Sequence, residues 1–500
     1  MQRMVNCAVA LAIGAGLVSL TVVRAQDSKT TLDAAAKALG DVASIQFSGS
    51  GTNNAYGQAF KPGDPWPAFK VTSYTITIDY KAPAMRMELE RTNPDGKVRG
   101  GGGLPLVAPQ RQNQVVNGKV AWNVAAPAGG GAPAAAPALA AVNDRLLALW
   151  AGGSAGAASW AGAPHGVIKA AQANNATVSG RVISFKVNGT DVKATLNSAN
   201  LIEKVETRAD APVLGDVLLE TTYSNYRDFG GVKFPGRIVQ KEGDLPVLDL
   251  TITDVKLNAS AALDVPANVQ QAAAQPPAPA PVRVQTDKIA DGVYYLTGGS
   301  HHSVIVEFND HVVVFESPQT DERAVAVLDA TKKQFPNKPI RYVVNSHNHF
   351  DHLGGVRAVM AEGITVITQA QNKGYYEKVA AMPHTVVPDR LAKSPKKPTI
   401  ETVAEKRVLT DGTQVLELYR VPNDHTDTML VGYLPKAKIL IEADLFNPPA
   451  ANAPPPTAIN PVTAAFYDTI QRMKLDVQQV AGLHGRLVPV KDFQAAAGKS

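Results

Sequence analysis

The chain divides into two units of different fold class: a mostly antiparallel β domain over residues 26–265 and an α/β domain over residues 285–500. Three observations predict this. Before residue 265 the apolar residues recur at period two, the signature of half-buried strands. Beyond residue 285, strand-like runs alternate with helix-like ones, which fits two sheets flanked by helices. Between them, residues 266–284 are rich in Pro and Ala and read as an extended linker, centred on QAAAQPPAPAP at 271–281. A chain of 500 residues also exceeds what one core ordinarily organises.

Residues 1–25 read as a secretory signal peptide. Arg3 precedes an apolar run from Val5 to Val23, and Val23-Arg24-Ala25 offers a cleavage site before Gln26. The expectation is a periplasmic or secreted protein, with an uncleaved N-terminal anchor as the alternative. Cys7, the single cysteine, lies inside this segment, so the processed chain has no thiol for disulfides, nucleophilic catalysis or metal ligation. Without Arg3 and Arg24, 47 basic residues face 44 acidic ones, a balance that disfavours nucleic acid as a partner.

Within the first domain, Tyr74, Ile76, Ile78 and Tyr80 alternate with Thr75, Thr77 and Asp79. Met85, Met87 and Leu89, then Leu248, Leu250 and Ile252, repeat the pattern. Asn117-Gly118, Asn188-Gly189 and Gly230-Gly231 supply hairpin turns. Residues 31–39 look like a short covering helix. Residues 125–138 and Gly100 to Gly103 read as loop insertions. The strand rhythm loosely resembles lipoprotein-carrier half-barrels, which implies membrane or envelope association through this domain. Oligomeric state leaves no mark in the sequence.

In the second domain, strands are expected at 303–308, 311–315, 340–345, 365–367, 415–419, 428–433 and 439–442, with helices at 321–335 and 356–361. Nine of the ten histidines lie beyond residue 300. His347, His349, Asp351 and His352 crowd into SHNHFDHLGG after a buried-strand pattern, and imidazole and carboxylate are the ligands that suit zinc and similar ions. His425, Asp444 and His484 flank other strands, and strand ends of a layered α/β fold gather around one cleft. His301, His302 and His384 are read as structural or rim residues, and His165 as a loop residue. Glu316 is either a hydrogen-bond partner of a ligand or a surface carboxylate.

HxHxDH with these later residues in order resembles the metallo-β-lactamase superfamily over about residues 285–495. The resemblance implies a four-layer αββα sandwich and a dinuclear zinc site, with iron or manganese as alternative ions. By position, His347, His349 and His425 would hold one ion, Asp351, His352 and His484 the other, and Asp444 would bridge them. Asp351 would be the catalytic carboxylate that orients a zinc-activated hydroxide. The implied function is an exported hydrolase acting on a carbonyl of a small molecule: a lactone, ester, amide or β-lactam. Di-iron flavoproteins usually carry glutamate where this chain has His349, and the best-known lactamase subclass carries cysteine where it has Asp444. The thioesterase branch adds a helical domain after the last histidine, which the sixteen residues beyond His484 do not supply. Residues 447–461 are expected to form a loop near the cleft. The alternatives are an envelope ligand-binding protein with an inactive second domain, or a mono-iron sulfur-oxidising enzyme.

Overall fold

The computed structural model describes residues 27–124, 134–135, 139–153, 160–259, 263–274, 282–448 and 458–499. The signal peptide, most of 125–138, the proline run at 275–281 and the middle of the 447–461 loop therefore lie outside the described residues.

Among the described residues the first domain is an antiparallel sheet of thirteen strands, with a separate two-stranded hairpin of Arg227–Phe229 and Val232–Phe234. Its first strand, Ser44–Asn54, pairs along its length with the last, Leu245–Leu257, with Ile45 opposite Leu257 and Asn53 opposite Leu248. Strand Gly215–Ser224 alternates strictly between buried and half-buried side chains, as expected when one sheet face is covered. The covering layer is a helix at 27–39 together with Leu139–Ala151 and Pro164–Ala173. Phe47, Ile76, Met87 and Leu250 pack against Leu39, Leu149 and Val167. All three glycine or asparagine-glycine turns fall between paired strands.

Two expectations need correction. His165 is not in a loop: Pro164 opens a helix at its first turn, and His165 is buried in the core with its ring stacked on Phe234 at 6.2 Å. Part of the supposed extended linker is also helical. Ala267–Ala274 forms a helix because Val269 can pack with Trp122 and Leu263, and alanine resists helix formation least of all residues.

In the second domain, a seven-stranded and a six-stranded sheet face each other. Phe315, Val344, Leu418 and Ile441 fill the space between them. Helices Asp321–Gln334 and Val356–Glu362 cover the outer face of the first sheet, and Pro461–Arg472 and Val490–Ala496 that of the second. The order is αββα, as the resemblance implied. In the seven-stranded sheet, pairing changes from antiparallel to parallel at Val312–Phe315 against Ile340–Val344. Parallel strands need crossovers, so the loop after Ile340–Val344 opens at one edge of the sandwich.

Two loops from the same end of the N-terminal sheet reach that edge. Residues 55–67 follow strand Ser44–Asn54, and residues 93–109 follow Ala84–Thr92. Tyr56 and Trp66 meet Phe350 edge-on, with centroids 5.4 and 5.9 Å away. Farther along, the Asp216 carboxylate accepts hydrogen bonds from the backbone of Thr385 and Val386. His384 meets Asp210 at 3.0 Å, a structural role as expected.

Burial among apolar groups pulls the His165 imidazole down to about 4. Its unfolded value is near 6.5, so between pH 6.5 and 4 the unfolded chain binds the extra proton and stability falls with acidification. The loss amounts to about 3 kcal/mol. Melting curves at pH 7 and pH 4 should show a smaller acid-induced shift in His165→Phe than in the wild type. Equal shifts would rule this residue out as an acid-sensitive element.

Candidate metal centre

The motif loop begins where strand Ile340–Val344 ends, and its own polar side chains shape it. Asn345 donates through Nδ2 to the His352 carbonyl at 2.9 Å, and Tyr376 donates to the His347 carbonyl at 3.0 Å. Asn348 Oδ1 accepts from Thr426 and Thr428, each at 2.8 Å, which ties the motif to the loop that carries His425. Asp444 sits in a left-handed turn (φ 63°) whose following amides, Leu445 and Phe446, donate to buried Glu442 at 3.1 Å. Desolvation raises the Glu442 carboxyl to about 8. Glu316 also adopts positive φ and is fully buried. Non-glycine residues in this region are costly and cluster at functional sites.

All seven sequence-assigned residues converge, in two groups. His347, His349, His425 and Asp444 form one; Asp351, His352 and His484 form the other, joined by His301. Within each group the potential ligand atoms lie within 4.8 Å of one another. Asp444 is central to both: its oxygens lie 3.2 Å from His347, 3.1 Å from His352, 3.0 Å from His425 and 2.7 Å from His484. This is the position a bridging ligand needs.

His301, read as a structural or rim residue, lies inside the second group. Its Nε2 lies 3.2 Å from Asp351 Oδ2, and its ring centroid 4.0 Å from that of His484. His302 keeps the structural role, donating to the Gly485 carbonyl at 2.8 Å. Adjacent side chains in extended backbone point to opposite sides, so only one of the pair could face the cleft.

The donor set fits divalent cations. His347 Nε2 and His349 Nδ1 are buried without hydrogen-bond partners. The opposite ring nitrogens are anchored: His347 Nδ1 on Ser346 Oγ at 2.9 Å, and His349 Nε2 on the Ala59 carbonyl at 3.1 Å. Such anchoring fixes the tautomer and aims the free lone pair. Likewise His352 Nδ1 donates to Glu316 at 3.0 Å, so Glu316 is a ligand's partner rather than a surface carboxylate.

Electrostatics point the same way. Burial lowers His347 to about 4 and His349 well below an ordinary imidazole, so both are neutral at pH 7 and free to ligate. Burial, the largest single influence, would neutralise Asp351 and Asp444, but the charge on His352 together with hydrogen bonds from His301 to Asp351 and from His347 and His352 to Asp444 more than offsets it and holds both ionised. Burial likewise opposes charge on His352, yet Asp444, Asp351 and Glu316 raise its proton affinity well above normal. Buried carboxylates in this density require positive charge beside them.

Sequence reasoning missed the contribution of the N-terminal domain. Gln58 donates to Asp351 Oδ1 at 2.9 Å and accepts from the Gly102 amide at 2.8 Å. Gly100 donates to the Asp424 carbonyl at 2.9 Å, and Asn348 to that of Ala59 at 3.0 Å. The glycine run at 100–103 thus lies over the metal loop: a Cβ on Gly101 would come 2.8 Å from His349 Nδ1. No local signal in either stretch announces this.

A two-sheet sandwich with an imidazole and carboxylate cleft at its strand ends defines an αββα domain with candidate metal-binding groups. Residues 296–474 match the model of the metallo-beta-lactamase superfamily, and that part of the chain carries the superfamily's domain. Two curated relatives are sulfatases. A linear primary-alkylsulfatase of Pseudomonas sp is 37% identical over 76 residues, 15% of this chain and 11% of the relative. An alkyl/aryl-sulfatase of Saccharomyces cerevisiae is 32% identical over 98 residues, 19% of this chain and 15% of the relative. The chain thus spans only a small fraction of either. Among solved structures, the metallo-beta-lactamase FIM-1 from Pseudomonas aeruginosa in its mono-zinc form aligns with TM-score 0.33 and 22% identity, covering 44% of this chain and 96% of that one. A metallo-beta-lactamase from Pontibacter korlensis gives 0.32 and 22%, covering 43% and 98%.

Gly101→Ala should displace His349 or Gln58 and weaken the binding of an added divalent cation at least tenfold, read by competition with a chromophoric chelator. An unchanged affinity would show that the glycine loop does not constrain the metal ligands.

Proposed function

We propose that this protein is an exported metal-dependent hydrolase of small molecules. In this reading His347, His349 and His425 would hold one zinc ion and Asp351, His352 and His484 the other, with Asp444 available to both. The observation that carries it is the convergence of His347, His349, His425 and Asp444 with Asp351, His352 and His484, His301 beside them, in one cleft at the strand ends. A complete ligand set of this kind has no use in a purely structural second domain. Bound divalent cations would supply Lewis acidity and make a water nucleophile available near neutral pH.

The chain's own residues do the rest. Asp351 is 34% exposed toward the cleft, with Oδ1 held by Gln58 and Oδ2 beside His301. So fixed, its carboxylate is placed to take the nucleophile's proton and deliver it to the leaving group. Glu316, Ser346 and the Ala59 carbonyl hold the imidazoles in orientation. The N-terminal loops narrow the cleft to a cavity of about 320 Å³, a size suited to a small substrate.

The substrate in this reading is a lactone, ester, amide or β-lactam. The alkylsulfatase relatives favour a second reading within the same chemistry, a sulfate ester. Purified protein should contain stoichiometric metal and hydrolyse at least one member of a chromogenic panel of these classes. Chelation should abolish the activity and added zinc restore it. Asp351→Asn should lower kcat by about 100-fold or more. Protein without bound metal, or activity indifferent to His349→Ala, would sink the reading.

A further inference from the structure

The cavity beside the metal ligands is built by both domains. Asp351, His425, Asp444 and His484 form one wall, while Phe69, Arg91 and Gly102 belong to the N-terminal sheet and its loops. Arg91 supplies the one lysine or arginine side chain on the lining among the described residues. We propose that Arg91 is the anchor for an oxyanion, a carboxylate or sulfonate carried by the substrate away from the bond that is cleaved. This rests on the hydrolase reading above and deepens it: the N-terminal domain selects anionic substrates.

The surroundings of Arg91 orient its guanidinium without neutralising it. Nε donates to Gln110 Oε1 at 3.0 Å and Nη1 to Asn53 Oδ1, both neutral acceptors. The guanidinium carbon lies 3.7 Å from the centroid of the buried Phe69 ring. Among the described residues no carboxylate lies within ion-pair distance, and Nη2 has no protein partner. Burial lowers its proton affinity to about 10, with no nearby charge opposing the shift.

Two buried arginines, Arg145 and Arg357, differ. Arg145 is saturated by the carbonyls of Val115 and Trp122 and by Asn123, and Arg357 pairs with Asp389. A guanidinium that is partly desolvated, rigidly held and unpaired is costly to the fold. It becomes favourable when an anion completes it, because the planar fork matches an oxyanion and is already oriented. The same lining carries Asp351 and Asp444, so the one cationic side chain on it would also bias how an anionic substrate lies.

The test uses the zinc-loaded full chain and non-hydrolysable probes: N-acetylglycine, N-acetyltaurine and the neutral N-acetylglycinamide. Calorimetric affinities are compared for wild type, Arg91→Gln and Arg91→Lys, with melting curves and zinc content to report the fold. At least one anion should bind Arg91→Gln tenfold or more weakly than wild type, with partial recovery in Arg91→Lys, and the amide should bind all three alike. The arm that responds, carboxylate or sulfonate, identifies the anion. Equal affinities for the anions in wild type and Arg91→Gln would overturn the proposal, as would a wild type that does not distinguish anion from amide. Turnover of paired anionic and neutral substrates adds a second readout, in which Arg91→Gln should raise KM for the anionic member and leave kcat nearly unchanged. Absent turnover with anion discrimination intact defeats the hydrolase reading and leaves the anion site standing; the converse defeats the role of Arg91.

Discussion

The charge balance of the cleft is the constraint on which the rest depends. Asp444 is nearly buried and Asp351 half-buried, and both are held ionised by imidazoles packed against them. Every neighbouring element serves that arrangement. Glu316 and Ser346 aim His352 and His347, the Ala59 carbonyl aims His349, and Asn348 joins the motif to the His425 loop. The positive φ at Asp444 and Glu316 places strained backbone at the centre of the ligand set. Such strain persists only where the surroundings over-determine it.

The two halves of the chain are joined through that same cleft. Gln58 reaches Asp351 across 293 residues of sequence, and Phe350 packs under Tyr56 and Trp66. The N-terminal sheet can offer these loops because Ser44–Asn54 and Ala84–Thr92 both run antiparallel to the strand between them, bringing residues 55–67 and 93–109 out at one end. The cavity is therefore a product of domain contact rather than of either domain.

Much of this was legible in the sequence. The motif from His347 to His352 is local, and its residue types and spacing dictate ligand chemistry wherever the loop lies. His425, Asp444 and His484 were legible because each follows an apolar run, and strand ends converge. His301 was hidden because a histidine pair carries no spacing signal; only extended backbone, turning one ring inward, separates it from His302. The helix at His165 was obscured by alanine and glycine, whose hydropathy marks no face. Gln58, Arg91 and the glycine run were illegible for a different reason. Their meaning lies in contacts with residues hundreds of positions away, and nothing in their own neighbourhood encodes a partner.

The approach of Gly101 to His349 has a consequence for how this architecture can change over time. A side chain at that point would press on a ligand atom, so the loop is held to glycine by the needs of the other domain. Arg91 and the residues around it face no such demand from the ligand set. With Arg91 as the anchor for substrate, drift in the N-terminal sheet is free to alter which molecules enter while the reactive centre stays as it is. One part of the chain is constrained by chemistry, the other by the molecules the cleft has to admit.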